Sequence, residues 1–281
     1  MVPILIYKIF WIFYIYSFIG WCAEVGWAAL DTGKLSNRGF LVGPVCPIYG
    51  CGMLLVISIL TPLKDNLLIL FAGSILLTTA LELIVGWGME KIFHHHWWDY
   101  SNYPFNFKGY ICLKFSLMWG FACTFVMKIL QPGIFKIVNL IPVRVGIVFL
   151  VIFSGIFLAD AIITIVNILK FNKKLKLLLE VEEKLRHVSD SIAEDIYEGV
   201  TDAIEHRDKV KDTINTKAQK VKEDRARERA ELTEKYNALM EKHKGFQKRL
   251  LQSFPNLTSV DYSKILDDMK EKIAEEISKR K

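Results

Sequence analysis

Between Met1 and Lys170 only 18 positions carry a formal charge, 11 Lys or Arg and 7 Asp or Glu. Residues 171–281 carry 48, 25 basic and 23 acidic. A single water-soluble core does not divide this way, because a soluble fold spreads ionisable side chains over its whole surface. The division implies a membrane-embedded part followed by a long charged tail, and it excludes a plain cytosolic enzyme. The net charge of +6 is small for 281 residues and no basic cluster of the nucleic-acid type occurs, so nucleic acid is not an expected partner.

Five apolar runs follow one another: Ile4–Leu30, Pro47–Pro62, Leu67–Met89, Ile111–Leu130 and Val145–Leu169. At about 1.5 Å per helical residue each approaches the thickness of a bilayer core, the second at the short end. The expected fold class is therefore all-α: a polytopic bundle of about five transmembrane helices over residues 1–170, followed by a cytoplasmic, coiled-coil-like tail. The first run reads as a span and not as a cleavable signal, since it has no charged leader and no small-residue cleavage site. Lys34, Arg38, Lys91, Lys108, Lys170, Lys173, Lys174 and Lys176 fall on one side of such a bundle; Lys8, Lys64, Lys136 and Arg144 fall on the other. That bias predicts an outside N-terminus and a cytoplasmic tail.

In the tail, Val181, Leu185, Val188, Ile192, Ile196, Val200 and Ala203 recur in steps of three and four. The stripe resumes at Val210, Ile214, Ala218 and Val221, and again from Leu232 through Tyr236, Leu239, His243, Phe246 and Leu250. This predicts a long charged helix over 171–254 that forms a weak coiled coil, folded back on itself or paired with a second copy or a partner protein. Pro255 ends it. Over 255–281, Thr258 and Asp261 suggest a capping box for a short amphipathic helix with the stripe Tyr262, Ile265, Leu266, Met269, Ile273 and Ile277.

Spans need only apolar side chains, so their polar residues are informative. An ionised carboxylate at the bilayer centre costs about 2.5–3.5 kcal/mol on insertion scales and is normally turned toward protein or water. Glu24, Glu82, Glu90 and Asp160 are such acids, with Glu82 the deepest by position. Residues 37–52 contain Gly39, Gly43, Pro44, Pro47, Gly50 and Gly52 in apolar surroundings, which predicts irregular backbone leading into the second span. Arg38 stands at its mouth, where a phosphate or a carboxylate such as Glu24 would suit it. Residues 93–112 combine an interfacial aromatic belt with Asp99, Ser101, Asn102 and Asn106. The substrate or pathway candidates are thus Glu24, Arg38, Glu82, Glu90, Asp99 and Asn106. Gly39, Pro44, Pro47, Trp97, Trp98 and Gly109 are candidates for shaping the loops.

His94, His95 and His96 stand in a row, but consecutive helical residues point about 100° apart and no second ligand set is spaced to meet them, so no metal is expected. The five cysteines, Cys22, Cys46, Cys51, Cys112 and Cys123, form no CxxC pair and read as free thiols in or beside the membrane. No phosphate loop, GxSxG, HExxH or GxGxxG is present, so no cofactor is expected and no catalytic motif marks an enzyme.

Four motifs in order, YSFIGWCAEV (16–25), NRGFLVGPVCPIYGCG (37–52), LELIVGWGMEKIFHHHWWDYS (81–101) and FNFKGYICLKFSLMWG (105–120), resemble the bacterial family labelled putative ABC-transporter permease, type IV. The resemblance covers about residues 7–130 and more loosely the spans to 170; the tail lies outside it. The family's shared positions fall here on Glu24, Arg38, Gly39, Pro44, Cys46, Pro47, Tyr49, Glu82, Glu90, Trp97, Trp98, Asp99, Tyr100, Asn106, Gly109 and Cys112. The resemblance implies a permease subunit in the bacterial cytoplasmic membrane, working with a separate ATPase subunit on an unspecified substrate. Two alternatives stand beside it: a membrane enzyme acting on a lipid or lipid-linked substrate through Arg38, Asp99, Asn106 and the histidines, and a scaffold or sensor whose output is the tail.

Overall fold

The computed structural model describes residues 2–33, 35–205, 211–241 and 245–279. Lys34 of the first loop, and Val210 and His243 of the tail stripe, lie outside them. The chain falls into two compact units. The first comprises Met1–Leu169 with Arg249–Asp261, and the second Lys170–Lys248 with Tyr262–Lys281.

The first unit is built from α1 (Val2–Thr32), α2 (Pro47–Leu60), α3 (Leu67–Phe93), α4 (Leu113–Phe125), α5 (Gln131–Leu140) and the first part of α6 (Val143–Glu205). Local chemistry sets the boundaries. Pro47 opens α2 at a position where its missing N–H costs nothing. Asn66 caps α3, its side-chain oxygen accepting from Leu68 N at 3.1 Å and Ile69 N at 3.2 Å. His94 ends α3 in the left-handed conformation at φ 59°.

Among the described residues four stretches are long and apolar enough to cross a membrane: Ile4–Leu30, Leu67–Phe93, Leu113–Leu140, which runs through α4 and α5, and Val143–Glu194. Pro47–Leu63 is a shorter apolar helix. The third of the four continues to Leu140, beyond the Leu130 expected from hydropathy, because a π turn at Val126–Leu130 joins α4 to α5. Pro132 lacks an N–H and its ring would crowd an α-helical carbonyl one turn earlier; the wider π turn accommodates both defects. Large apolar side chains such as Leu76, 71% exposed, and Phe121, 68% exposed, face outward. In water that surface would be unstable, and in lipid it is the solvent-facing side.

Inside, Tyr7, Ile12 and Tyr16 of α1 pack with Met53, Val56 and Leu60 of α2, and with Leu70, Cys123, Met127, Ile134, Val138 and Leu150. The α1–α2 crossing is close because small residues lie at it: a Cβ at Gly20 would overlap the Tyr49 ring, and one at Gly50 would overlap Ser17 and fall 2.6 Å from the Phe13 carbonyl. Two short antiparallel ladders complete the unit. In one, β2 (Asn106–Phe107) pairs with β3 (Ile111–Cys112). In the other, β1 (His95–His96) pairs with β4 (Thr258–Ser259) from the far end of the chain, His95 opposite Ser259 and His96 opposite Thr258.

The second unit contains the rest of α6, α7 (Lys211–Glu241), the start of α8 (Gly245–Ser253), and α9 (Ser263–Ser278). Phe171, Leu175, Leu178 and Val181 are buried along one face of α6, and Ile265, Leu266, Met269 and Ile273 along one face of α9. Lys264 of α9 pairs with Glu182 of α6, which raises the lysine's pKa. Arg225 of α7 donates to the Ser191 carbonyl at 2.8 Å. The helix after Pro255 begins at Ser263, and the expected capping box serves another purpose: Thr258 lies in β4, and Asp261 stands 3.3 Å from His94 Nδ1. A strand partner for Thr258 outweighed the local cap.

Candidate functional site

The acids of α1 and α3 meet the aromatic residues of the loops. Glu24 on α1 accepts from the Tyr49 hydroxyl at 2.6 Å; Tyr49 sits in the first turn of α2, which is placed there by the Gly20 crossing. Glu82 on α3 is 8% exposed and accepts from the Tyr100 hydroxyl through Oε1 at 3.1 Å. Its Oε2 is buried and makes no hydrogen bond of good geometry among the described residues, although the Trp119 indole of α4 reaches the same carboxylate. Trp119 meets the Tyr49 ring edge-on at 5.5 Å, and Tyr100 stacks on Phe115 at 4.5 Å. Thus two Glu–Tyr pairs from different elements adjoin around one indole.

Electrostatics report the same convergence. The Tyr100 phenol, in the loop after α3, is pushed up first by burial, then by Glu82, and further by Glu24 and Cys112. Burial followed by the Glu24 charge pushes the Cys46 thiol up to about 12. One phenol and one thiol therefore sense carboxylates carried by two helices.

Glu90 and its neighbours form a second, smaller group: it accepts from the Tyr110 hydroxyl, and its Oε2 stands 3.6 Å from His96 Nδ1. Asp99 and Asn106 fold their own loop. Asp99 Oδ1 accepts from the Ser101 amide at 2.8 Å and from its hydroxyl at 2.5 Å. Asn106 donates to the Ser101 and Tyr103 carbonyls at 3.1 and 2.8 Å and accepts from Gly109 N at 3.3 Å. Gly109, at φ +73°, gives that loop its left-handed turn. Trp98 Nε1 donates to the Tyr110 carbonyl at 2.8 Å, while Trp97 is buried against Phe40 and Phe93.

The segment between α1 and α2 is irregular over residues 35–46. Arg38 is half-buried in it, Gly39 is buried, Pro44 is exposed and Pro47 closes it by opening α2. Asn37 organises its start: Oδ1 accepts from Gly39 N at 2.9 Å and from Trp21 Nε1 at 2.8 Å, and Nδ2 donates to the Val42 carbonyl at 2.8 Å. Asp160 of α6 holds its middle, Oδ1 accepting from Val42 N at 3.0 Å and Oδ2 from Gly43 N at 2.7 Å. Arg249 holds the carbonyls of the same stretch, donating to Gly39 O at 3.1 Å and also to Leu41 O.

Residues 11–165 match the family described as "Putative ABC-transporter type IV". The chain belongs to this family. No curated protein matches, and no solved structure does. In this member of the type IV family, Glu24, Tyr49, Glu82, Tyr100 and Asp160 all lie inside the matched segment, whereas Arg249 lies outside it. Of the sequence candidates, the structure brings Glu24 and Glu82 to one cluster, places Glu90 with His96 and Tyr110, and gives Asp99, Asn106 and Gly109 to the folding of one loop. Tyr49, Tyr100 and Trp119 were not singled out from the sequence as partners of the acids. Their signal was a hydroxyl or indole in an aromatic belt, which bilayer anchoring also explains. Arg249 had no signal beyond being one cation in a charged tail.

Proposed function

We propose that this chain is the membrane subunit of a transport system in the bacterial cytoplasmic membrane, and that its pathway runs past the Glu24–Tyr49–Glu82–Tyr100 cluster. The observation that carries the reading is Glu82, a carboxylate 8% exposed in a helix able to cross a membrane, whose Oε2 is approached by the Trp119 indole and makes no hydrogen bond of good geometry among the described residues. Such an oxygen is costly where nothing binds it, and intramembrane acids of this kind mark substrate or ion routes. Irregular backbone beside it at residues 35–46 supports the same reading, because such backbone is tolerated near membrane depth where it is buried in protein or lines a cavity.

In this reading Pro47–Leu63 completes a fifth crossing, the N-terminus is outside and the tail cytoplasmic. A separate ATPase supplies the energy, since the chain has no phosphate loop, and a second copy or partner engages the coiled-coil-like tail. Asp99 and Asn106, on which an interfacial lipid enzyme would draw, use their hydrogen bonds to fold their own loop. Purification in mild detergent at native expression, with mass spectrometry of co-eluting proteins, tests the proposal. The expected result is a nucleotide-binding subunit in stoichiometric amount whose ATP hydrolysis changes when Glu82→Gln replaces the wild type. A chain that elutes with copies of itself alone overturns it.

A further inference from the structure

Along α6 one stripe is fully buried: Thr164, Ile168, Phe171, Leu175 and Leu178, in steps of four and three. The helix therefore keeps one phase through this stretch. Its opposite stripe runs in the same steps and changes chemistry part-way. Ile162, Val166 and Leu169 are exposed apolar residues, and the next two positions are Lys173 and Lys176, both exposed. Lys170 and Leu177 lie on the same face and are exposed as well.

The remaining lysine of the stretch is held differently. Lys174 is half-buried and donates to Gln247 Oε1 at 3.2 Å. No acid occurs between Asp160 and Glu180, which follows Lys176 by one turn and ends the basic stretch. Lys170 and Lys173 thus have no acid within a turn of them along α6.

The position of these charges selects their partner. Lys170 to Lys176 covers about 9 Å of helix rise, and it begins where the apolar stripe ends. At physiological salt the Debye length is about 8 Å, so all three ammonium groups lie within reach of a charged membrane surface. A lysine stem can lie along apolar surface while its ammonium rises to a phosphate, and Leu177 keeps part of this face apolar. Each lysine beside an anionic surface strengthens binding about fivefold.

We propose that Lys170, Lys173 and Lys176 form a binding face for the headgroups of anionic phospholipids. The face rests on one part of the transport reading, that α6 crosses the bilayer, and is independent of what is carried. It turns lysines that otherwise only orient the chain into a surface that selects its lipid neighbours.

The test uses the full chain purified in mild detergent and titrated with phosphatidylglycerol or phosphatidylcholine, bound lipid being counted by native mass spectrometry. Wild type is expected to bind phosphatidylglycerol about tenfold or more tightly than phosphatidylcholine. Combining Lys170→Gln, Lys173→Gln and Lys176→Gln should bring the two lipids within about twofold, whereas the three matching Arg replacements should keep the preference. Changing the exposed Lys222, Arg227 and Arg229 of α7 to Gln removes the same charge elsewhere and should leave the preference intact. Inorganic phosphate should not displace the lipid.

Equal affinity of wild type for both lipids overturns the proposal, as does a preference that survives the three Gln replacements. An equal loss in the α7 variant overturns it in favour of net charge, and displacement by phosphate in favour of a free-phosphate site. A Gln variant that still prefers phosphatidylglycerol but sheds a co-eluting protein would give the face to an acidic partner instead. Loss of lipid preference with co-eluting subunits unchanged supports the lipid face and leaves the transport reading where it stood.

Discussion

Tyr49 donates to Glu24 at 2.6 Å, and it reaches that carboxylate because Gly20, one helical turn before Glu24, leaves room for its ring. The glycine and the acid therefore act on the same side chain, one by absence and one by charge. Tyr49→Phe keeps the ring and deletes the donor, leaving a half-buried acceptor unsatisfied at a cost of about 1–3 kcal/mol. Gly20→Ala forces the ring away and should cost about 1–3 kcal/mol through overpacking. Once the ring has moved, the hydroxyl no longer reaches Glu24, so the double variant should lose less than the two single losses combined. Thermal unfolding of the four proteins in detergent measures this; strict additivity would show that Gly20 does not position the Tyr49–Glu24 bond.

Asp160 satisfies two consecutive amides, Val42 N and Gly43 N, and also accepts from the Thr164 hydroxyl at 3.2 Å. Asp160→Asn keeps the shape but replaces one accepting oxygen by a donor, so one of those N–H groups must face another N–H. Amide exchange at Val42 and Gly43 should then speed up at least tenfold, while amides in the middle of α3 keep their protection. Unchanged exchange at both positions would mean that Asn37 and Arg249 hold the loop without help from Asp160.

The spans could be read from the sequence because hydropathy over some twenty residues averages out local detail. The acids stood out for the same reason: Glu82 is conspicuous in a helix that is otherwise apolar. What remained hidden was pairing. Tyr100 lies 18 positions from Glu82 and Asp160 lies 117 from Gly43, and no periodicity connects residues that only the folded chain brings together. Asp99 shows a different limit. Its spacing to Ser101 is that of a local Asx turn, yet an acid in an aromatic loop reads equally well as chemistry. Arg249 was hidden most completely, because its partners are backbone carbonyls, and these have no signature in sequence.

The loop that Asp99 folds supplies a third prediction. Gly109 has φ +73°, and a Cβ on it would stand 2.5 Å from Asp99 Oδ1. Gly109→Ala therefore combines backbone strain of about 1–3 kcal/mol with a steric conflict. Asp99→Ala relieves only the conflict, so adding it to Gly109→Ala should recover part of the loss and leave the strain. Unfolding temperatures across this double-mutant cycle decide the matter. A Gly109→Ala protein as stable as wild type would show that the turn relaxes at no cost.

Tyr100 gives the pH dependence its sign. Its phenol is raised above the ordinary value of 10.0 by burial first and then by Glu82, to which it donates. The unfolded chain loses this proton near pH 10 while the folded chain keeps it. The stabilisation is thus present in full below pH 10 and is lost as pH rises toward the folded value. Tyr100→Phe cannot ionise, but it also leaves Glu82 Oε1 without its donor, which should cost about 1–3 kcal/mol at pH 8. The difference in stability between wild type and Tyr100→Phe should consequently be largest near pH 8 and shrink steadily above pH 10. Unfolding temperatures of both proteins between pH 8 and 11.5 measure it, and comparing the pair cancels tyrosines such as Tyr236 that are also raised. A gap that stays constant to pH 11.5 would mean that Tyr100 contributes packing to the cluster without a proton held against Glu82.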